Sequence, residues 1–240
     1  MTTFQKPYII VLGNEKGGTG KSTLSMHIIT HLLQLQFKVG SIDVDARQGT
    51  LTRYIENRCH TVKTKGIDLL LSQHYSLFKS THENQSEAEA DETERFSKII
   101  HDLSACDFIV IDTPGSDSFL SRLAHSYAHT LITPLNDSFI DLDMLARGDS
   151  GDVFKPSTYS EMVWDQKKRR LMRGDRTVFD WIVVRNRLSH LNAHNKEEMR
   201  KTLIKLSDRL GFRAGEGFGE RVIFRALFLS GITLLDLNDM

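Results

Sequence analysis

Short apolar runs alternate along the chain with longer stretches in which apolar residues recur at helical spacing. The runs are 8-YIIVL-12, 39-VGSIDV-44, 108-FIVID-112, 130-TLITPL-135 and 181-WIVVRN-186. Each is short and apolar almost throughout, the mark of a strand covered on both faces. Between the first two, 22-STLSMHIITHLLQLQF-37 predicts a largely buried helix. Short helices are predicted at 50-TLTRYIEN-57 and 95-RFSKIIHDL-103, and longer ones at 157–173 and 195–210. The last places Met199, Leu203, Leu206 and Leu210 on one stripe, with Gly211 as its stop. This alternation predicts an α/β fold of three layers, a mostly parallel twisted sheet with helices on both faces. The length suits one domain over residues 1–240. The polar segment 79-KSTHENQSEAEADET-93 reads as a solvated, mobile loop over about 79–94.

Ligands of such sheets bind at the carboxyl ends of the strands, and the residues that follow each strand carry chemistry. After the first strand comes 13-GNEKGGTGKST-23. Gly17, Gly18 and Gly20 let backbone N–H groups turn toward an anion with no Cβ in the way. The helix that follows adds its positive end. Lys21 reaches β- and γ-phosphates in such loops, and the Ser22 hydroxyl ligates Mg²⁺. The stretch from Gly17 through Thr19 to Thr23 is therefore the candidate nucleotide-binding loop. It departs from the usual G-x-x-x-x-G-K-[ST] pattern, because Glu15 stands where a glycine is expected and Lys16 follows it. After the second strand Asp43 and Asp45 alternate, so that they point to opposite sides. One is expected near Mg²⁺ and the other near an attacking water. After the third strand Asp112 opens 112-DTPG-115, where a carboxylate holding Mg²⁺ through water would sit.

Together these motifs resemble the deviant Walker-A ATPases of the ParA/MinD group. The stretches 42-IDVDARQGTLTRYIENR-58, 111-IDTPGSDSFLSRLAH-125, 134-PLNDSFIDLDML-145, 181-WIVVRNRLSHLNAHN-195 and 221-RVIFRALFLSGITLLDL-237 narrow the resemblance to the MipZ-type division-plane positioning ATPases. It covers most of residues 8–237 and is lost between about Cys59 and Ile100. The resemblance implies a slow, Mg²⁺-dependent ATPase that forms a homodimer on binding ATP. Such a dimer binds DNA without sequence preference and blocks assembly of the division protein FtsZ. A ParB-type centromere-binding protein recruits the monomer, and hydrolysis resets the dimer. By matching position, Lys16 is the lysine that reaches the partner's nucleotide and Lys21 the phosphate lysine. Asp45 positions the hydrolytic water, Asp112 is the Walker-B acid, and Ser22 and Asp43 belong with the metal. Arg185 and Asn186 are candidate adenine contacts. The resemblance also leads one to expect residues beyond 234-LLDL-237, where this sequence runs only to Met240.

Charge and cysteine usage refine the picture. Lys+Arg and Asp+Glu balance at 31 each, so net charge names no partner. From Trp164 to Arg225, however, 16 bases face 8 acids. With the resemblance, Lys196, Arg200, Lys201 and Arg221 become candidates for a non-specific DNA surface. The run 167-KKRR-170 reads as a solvated helix end, and His27 and His31 as packing residues on a helix rather than metal ligands. Cys59 and Cys106 form no CxxC pair and fit a reducing cytosol. No signal peptide is expected, since Lys6-Pro7 interrupts the opening, and the expected location is cytoplasmic and nucleoid-associated. No run is long enough to span a bilayer, and 230-SGITLLDLNDM-240 carries no base for a membrane-binding helix. Two other readings stay open: a ParA-type partitioning ATPase, and a metabolic or electron-transfer enzyme sharing the altered loop. A reductase of the latter kind needs cysteines for an Fe–S cluster.

Overall fold

A computed structural model of the chain describes residues 7–45, 47–149, 153–188, 193–219 and 223–238. Seven strands form one parallel sheet: β1 (Tyr8–Leu12), β2 (Val39–Asp43), β3 (Gln73–Ser76), β4 (Phe108–Asp112), β5 (Thr130–Asn136), β8 (Asp180–Asn186) and β9 (Arg213–Gly215). Their order across the sheet is β3-β2-β4-β1-β5-β8-β9. The five expected strands are its interior, and the two that the apolar pattern did not show, β3 and β9, are its edges. An antiparallel pair, β6 (Ala146–Asp149) and β7 (Val153–Pro156), stands apart.

Both faces of the sheet are covered, because successive strand residues point opposite ways. In β1, Val11 joins one apolar cluster and Leu12 the other; in β4, Ile109 and Ile111 face one side and Val110 the other. Helices α1 (Lys21–Gln34) and α2 (Thr50–Lys65) close the face of Leu12 and Val110 through Met26, Ile29, Leu51 and Tyr54. The other face is closed by α3 (Gln85–Asp102), α4 (Phe119–Tyr127), α6 (Thr158–Met172) and α7 (Ala193–Leu210). Each fully buried Leu, Ile or Val there contributes about 1.5–3 kcal/mol. The predicted α7 stripe is intact, with Met199, Leu203, Leu206 and Leu210 all buried. Short helices α5 (Phe139–Leu142) and α8 (Ile223–Phe228) complete the fold. No helix among the described residues is long and apolar enough to cross a membrane.

Two sequence expectations are corrected. The segment expected as a loop over 79–94 is helical from Gln85 onward. The Asn84 side chain caps it by accepting the N–H groups of Ser86 and Glu87, and Gln85–Glu89 and Asp91–Arg95 pair one turn apart. Glu92 is buried and accepts the N–H of Ser80 at 2.8 Å, tying the preceding turn to the helix. The run 167-KKRR-170 is not wholly solvated either. Arg170 is 2% exposed and folds back to Asp175 and the Thr177 carbonyl at 3.1 and 3.2 Å.

The carboxyl-terminal segment is pinned to α2. Buried Arg58 donates to both carboxylate oxygens of Asp236 at 2.8 and 2.7 Å and to the Gly231 carbonyl at 3.0 Å. Tyr54 adds a bond to the Ile232 carbonyl at 2.8 Å.

Candidate nucleotide site

The loop between β1 and α1 is shaped by what surrounds it. Gly18 and Gly20 take φ of 73° and 88°, the left-handed region that glycine enters without strain. A Cβ on Gly115 would lie 2.7 Å from the backbone of Gly17, so the 112–115 segment packs directly on the phosphate loop. Gly13 has no room for a side chain because His125 fills the space. From below, the Tyr159 hydroxyl donates to the Gly13 carbonyl at 2.8 Å, and Thr133 and Trp181 continue that network. Asn14 is buried; it donates to the Pro134 carbonyl and accepts the N–H of Lys16, both at 2.6 Å. Helix α1 begins at Lys21 with Gly20 as its cap and no side chain bonded to its first amides. Those amides and the helix dipole are disposed for an anion.

Behind the loop lie the acids. Asp43 and Asp112 are register neighbours on β2 and β4, both buried. Burial, with Asp43 beside it, pushes the Asp112 carboxyl up to about 7, against the pull of Ser22, Lys21 and Ser25. Ser25 Oγ lies 3.2 Å from Asp112 Oδ1. Burial lowers the Lys21 ammonium, opposed by Asp112 and Asp45, and its Nζ donates to the carbonyls of Asn14 and Lys16, both at 3.0 Å. Burial and then Asp43 raise the Asp45 carboxyl. The buried Asp112 carboxyl, with the Ser22 hydroxyl beside it, has the oxygen donors that suit a divalent cation.

Gly17 through Thr23 line a cleft of about 1340 Å³, and Asp45 and residues 113–116 line it as well. The structure brings the phosphate loop and Asp45 to one cleft. Asp43 is different: it does not line the cleft. Its Oδ1 accepts the N–H of Asp45 at 2.9 Å and its Oδ2 accepts the N–H and hydroxyl of Thr52, each at 3.0 Å. Its expected place among metal ligands is corrected to that of a brace, since three donors already occupy the carboxylate. Lys16 does not line the cleft either; its ammonium is ion-paired with Asp141 of α5.

A second cavity of about 290 Å³ adjoins the loop and is mostly apolar, with Pro134, Phe218, Phe224 and Leu234 in its walls. Asn186 lines it, and its Nδ2 donates to the Thr19 carbonyl at 2.7 Å. Arg185 does not line it; its Nη1 is 3.4 Å from Asp137 Oδ1. Its side chain thus turns toward Asp137 rather than into this cavity. The residue the sequence reading missed is Arg187, at φ 56°, which lines both cavities. Arg47 and Lys79 also line the larger cleft. Arginines after a strand end carry no pattern of their own, and only the fold brings these together.

The basic candidates are more scattered. Arg200 and Lys201 are exposed on α7 and share Glu197, Arg200 at 3.0 and 2.9 Å and Lys201 at 4.0 Å. Lys196 belongs to the same helix, but its side chain is outside the described set, as is all of Arg221. His27 packs as expected, edge-on to Phe224 at 5.4 Å. Among the described residues no cluster of His, Cys, Asp and Glu forms a metal site on its own.

A parallel sheet whose first strand feeds a glycine loop and an uncapped helix, with a buried acid on the neighbouring strand, defines a P-loop ATPase. Residues 8–240 match the family described as ATPase MipZ, and the chain belongs to that family. No curated protein matches the sequence. Solved structures of similar fold include McdA from Cyanothece in complex with ATP, with TM-score 0.65 and 16% identity over 97% of this chain and 91% of that one. MinD from Aquifex aeolicus gives 0.60 and 18% over 97% and 90%. A plasmid partition protein from Borrelia burgdorferi gives 0.52 and 17% over 98% and 100%.

Proposed function

We propose that this protein is a nucleotide-switched positioning ATPase that dimerises on ATP, binds DNA without sequence preference in that state, and restrains FtsZ assembly. A ParB-type protein is its proposed recruiter, and slow hydrolysis returns it to monomer. The observation that carries the reading is the position of Lys16. Its ammonium rests outside its own phosphate cleft, on Asp141. A half-exposed cation held off its own phosphates supports a role at another subunit's nucleotide, as an arginine finger has in trans.

In this reading Gly17 to Gly20 and the first amides of α1 hold the phosphates, and Lys21 leaves the loop carbonyls to meet them. Ser22, and Asp112 through water, would hold Mg²⁺, which neutralises charge on the β- and γ-oxygens. Asp45 positions the attacking water. The apolar cavity takes the base, beside Asn186 and Arg187. The whole of residues 1–240 acts as one unit, in the cytoplasm and at the nucleoid.

A partitioning ATPase is the second reading, and it shares every feature of the site. The iron–sulfur alternative is disfavoured by placement. Cys106 lies in the apolar cluster on one face of the sheet, and Cys59 packs against the cluster on the other. DNA binding with ATP against ADP, each at two salt concentrations, tests the proposal. An ATP-only signal that falls steeply with salt is expected; binding indifferent to nucleotide overturns it. FtsZ sedimentation with and without the ATP-loaded protein separates positioning from partitioning.

A further inference from the structure

The acids of the cleft are braced from the sheet edge. On β3, His74 places Nε2 3.1 Å from Thr52 Oγ1 and Nδ1 2.9 Å from Ser41 Oγ. Thr52, in the first turn of α2, gives its hydroxyl and its N–H to Asp43 Oδ2. Asp43 Oδ1 in turn holds the N–H of Asp45. Ser72 Oγ lies 2.9 Å from Ser41 Oγ at the outer end of the chain.

Counting hydrogens fixes the direction of this relay. The Thr52 hydroxyl has one hydrogen and gives it to a carboxylate that has none to return. Its oxygen is therefore the acceptor for His74, and the hydrogen of a neutral ring sits on Nε2. Nδ1 is then bare and takes the Ser41 hydrogen, while Ser41 accepts from Ser72. Each donor meets one acceptor, so the arrangement has a single polarity from Ser72 inward to Asp43. A fully satisfied network of this kind fixes geometry more firmly than its separate bonds.

We propose that His74 is a positioning residue for ATP hydrolysis, holding Thr52 and Asp43 and through them the backbone that aims Asp45 into the cleft. The proposal rests on the reading that Asp45 positions the attacking water. Asp43 does not line the cleft, so loosening this relay disturbs turnover and leaves nucleotide contacts in place. Attachment of β3 does not require the histidine, because backbone pairing from Gly40↔Gln73 to Asp43↔Ser76 already fastens it to β2.

The test uses the full chain with MgATP. It measures turnover by phosphate release, affinity with a fluorescent ATP analogue, and folding by circular dichroism. His74→Asn is too short to reach Thr52, and turnover is expected to fall roughly 10- to 100-fold with affinity held within about twofold. His74→Gln restores an N–H at the Nε2 position and should recover most of that loss. Thr52→Val should match His74→Asn, and the double variant should be no worse than either, as for two members of one path. Unchanged turnover in His74→Asn overturns the proposal, as does equal loss in the Asn and Gln variants. A loss seen in affinity, or an unfolded His74→Asn protein, makes the residue merely structural and overturns it too. Asp45→Ala separates the two levels. If it turns over normally, the reading of Asp45 fails; if it is inactive while His74→Asn is normal, only the role of His74 fails.

Discussion

Lys16 and Asp141 form an ion pair within one chain, and Asp141 turns its second oxygen to the N–H of Asn136 at 3.0 Å. The carboxylate is buried and the lysine half-exposed, so the aspartate is fixed and the lysine is the mobile partner. A dimer that recruits Lys16 must first break this contact. Lys16→Ala is expected to bind ATP nearly as well as the parent but to lose ATP-induced dimerisation in light scattering. Asp141→Asn keeps an acceptor for Asn136 while releasing the lysine. A half-exposed pair is worth at most about 1 kcal/mol and a homodimer breaks two of them, so the ATP-bound dimer should tighten by up to about thirtyfold.

Asp45→Ala should give the reverse phenotype of Lys16→Ala. Its side chain lines the cleft without holding the loop, so ATP binding and dimerisation persist while phosphate release slows by about two orders of magnitude or more. The expected product is a long-lived dimer, visible as an ATP complex that survives gel filtration.

Gly115 touches the phosphate loop from the opposite side. Its substitution by alanine drives a methyl group against the Gly17 backbone, which lies 2.7 Å from that point and cannot swing away as a side chain would. Gly115→Ala should weaken ATP binding, measured by titration of the fluorescent analogue. The fold should survive, since the clash is confined to two surface loops.

These residues also show what the sequence made legible. The inner strands and α7 were visible because their apolar periods are strong and the buried stripe agrees with them. β3 and β9 were not, since an edge strand such as 73-QHYS-76 carries polar residues and has no apolar run. The amino-terminal half of α3 was hidden by its acidity, which composition reads as solvent but which Asn84 and pairs one turn apart organise. In the site, consecutive motif residues were found and convergent ones were not. Arg187 and His74 have no motif, and Asp43 was placed beside the metal because nothing in the sequence shows that Thr52 will claim its carboxylate.

His125 gives the fold a pH dependence with a definite sign. Complete burial lowers its imidazole from 6.5 to about 4. Above pH 6.5 the ring is neutral both folded and unfolded, and its contribution is whole. As pH falls from 6.5 toward 4 the unfolded chain takes up a proton that the folded one refuses, and stability drops by about 3 kcal/mol. Urea unfolding at pH 7 and pH 4.5 should show most of this fall. His125→Phe should remove that share of the slope, since the phenylalanine ring does not titrate.

Strand β3 has a neighbour on one side alone. Residues 66–84 thus lie at the margin of the sheet and can change without altering a hydrogen bond among the five inner strands, whereas α3 is held on the face by Phe96 and Ile99. Such a margin is where a lineage can acquire a new partner while its chemistry stays constant. His74 marks the limit of that freedom, because whatever replaces this segment must still present a hydrogen to Thr52.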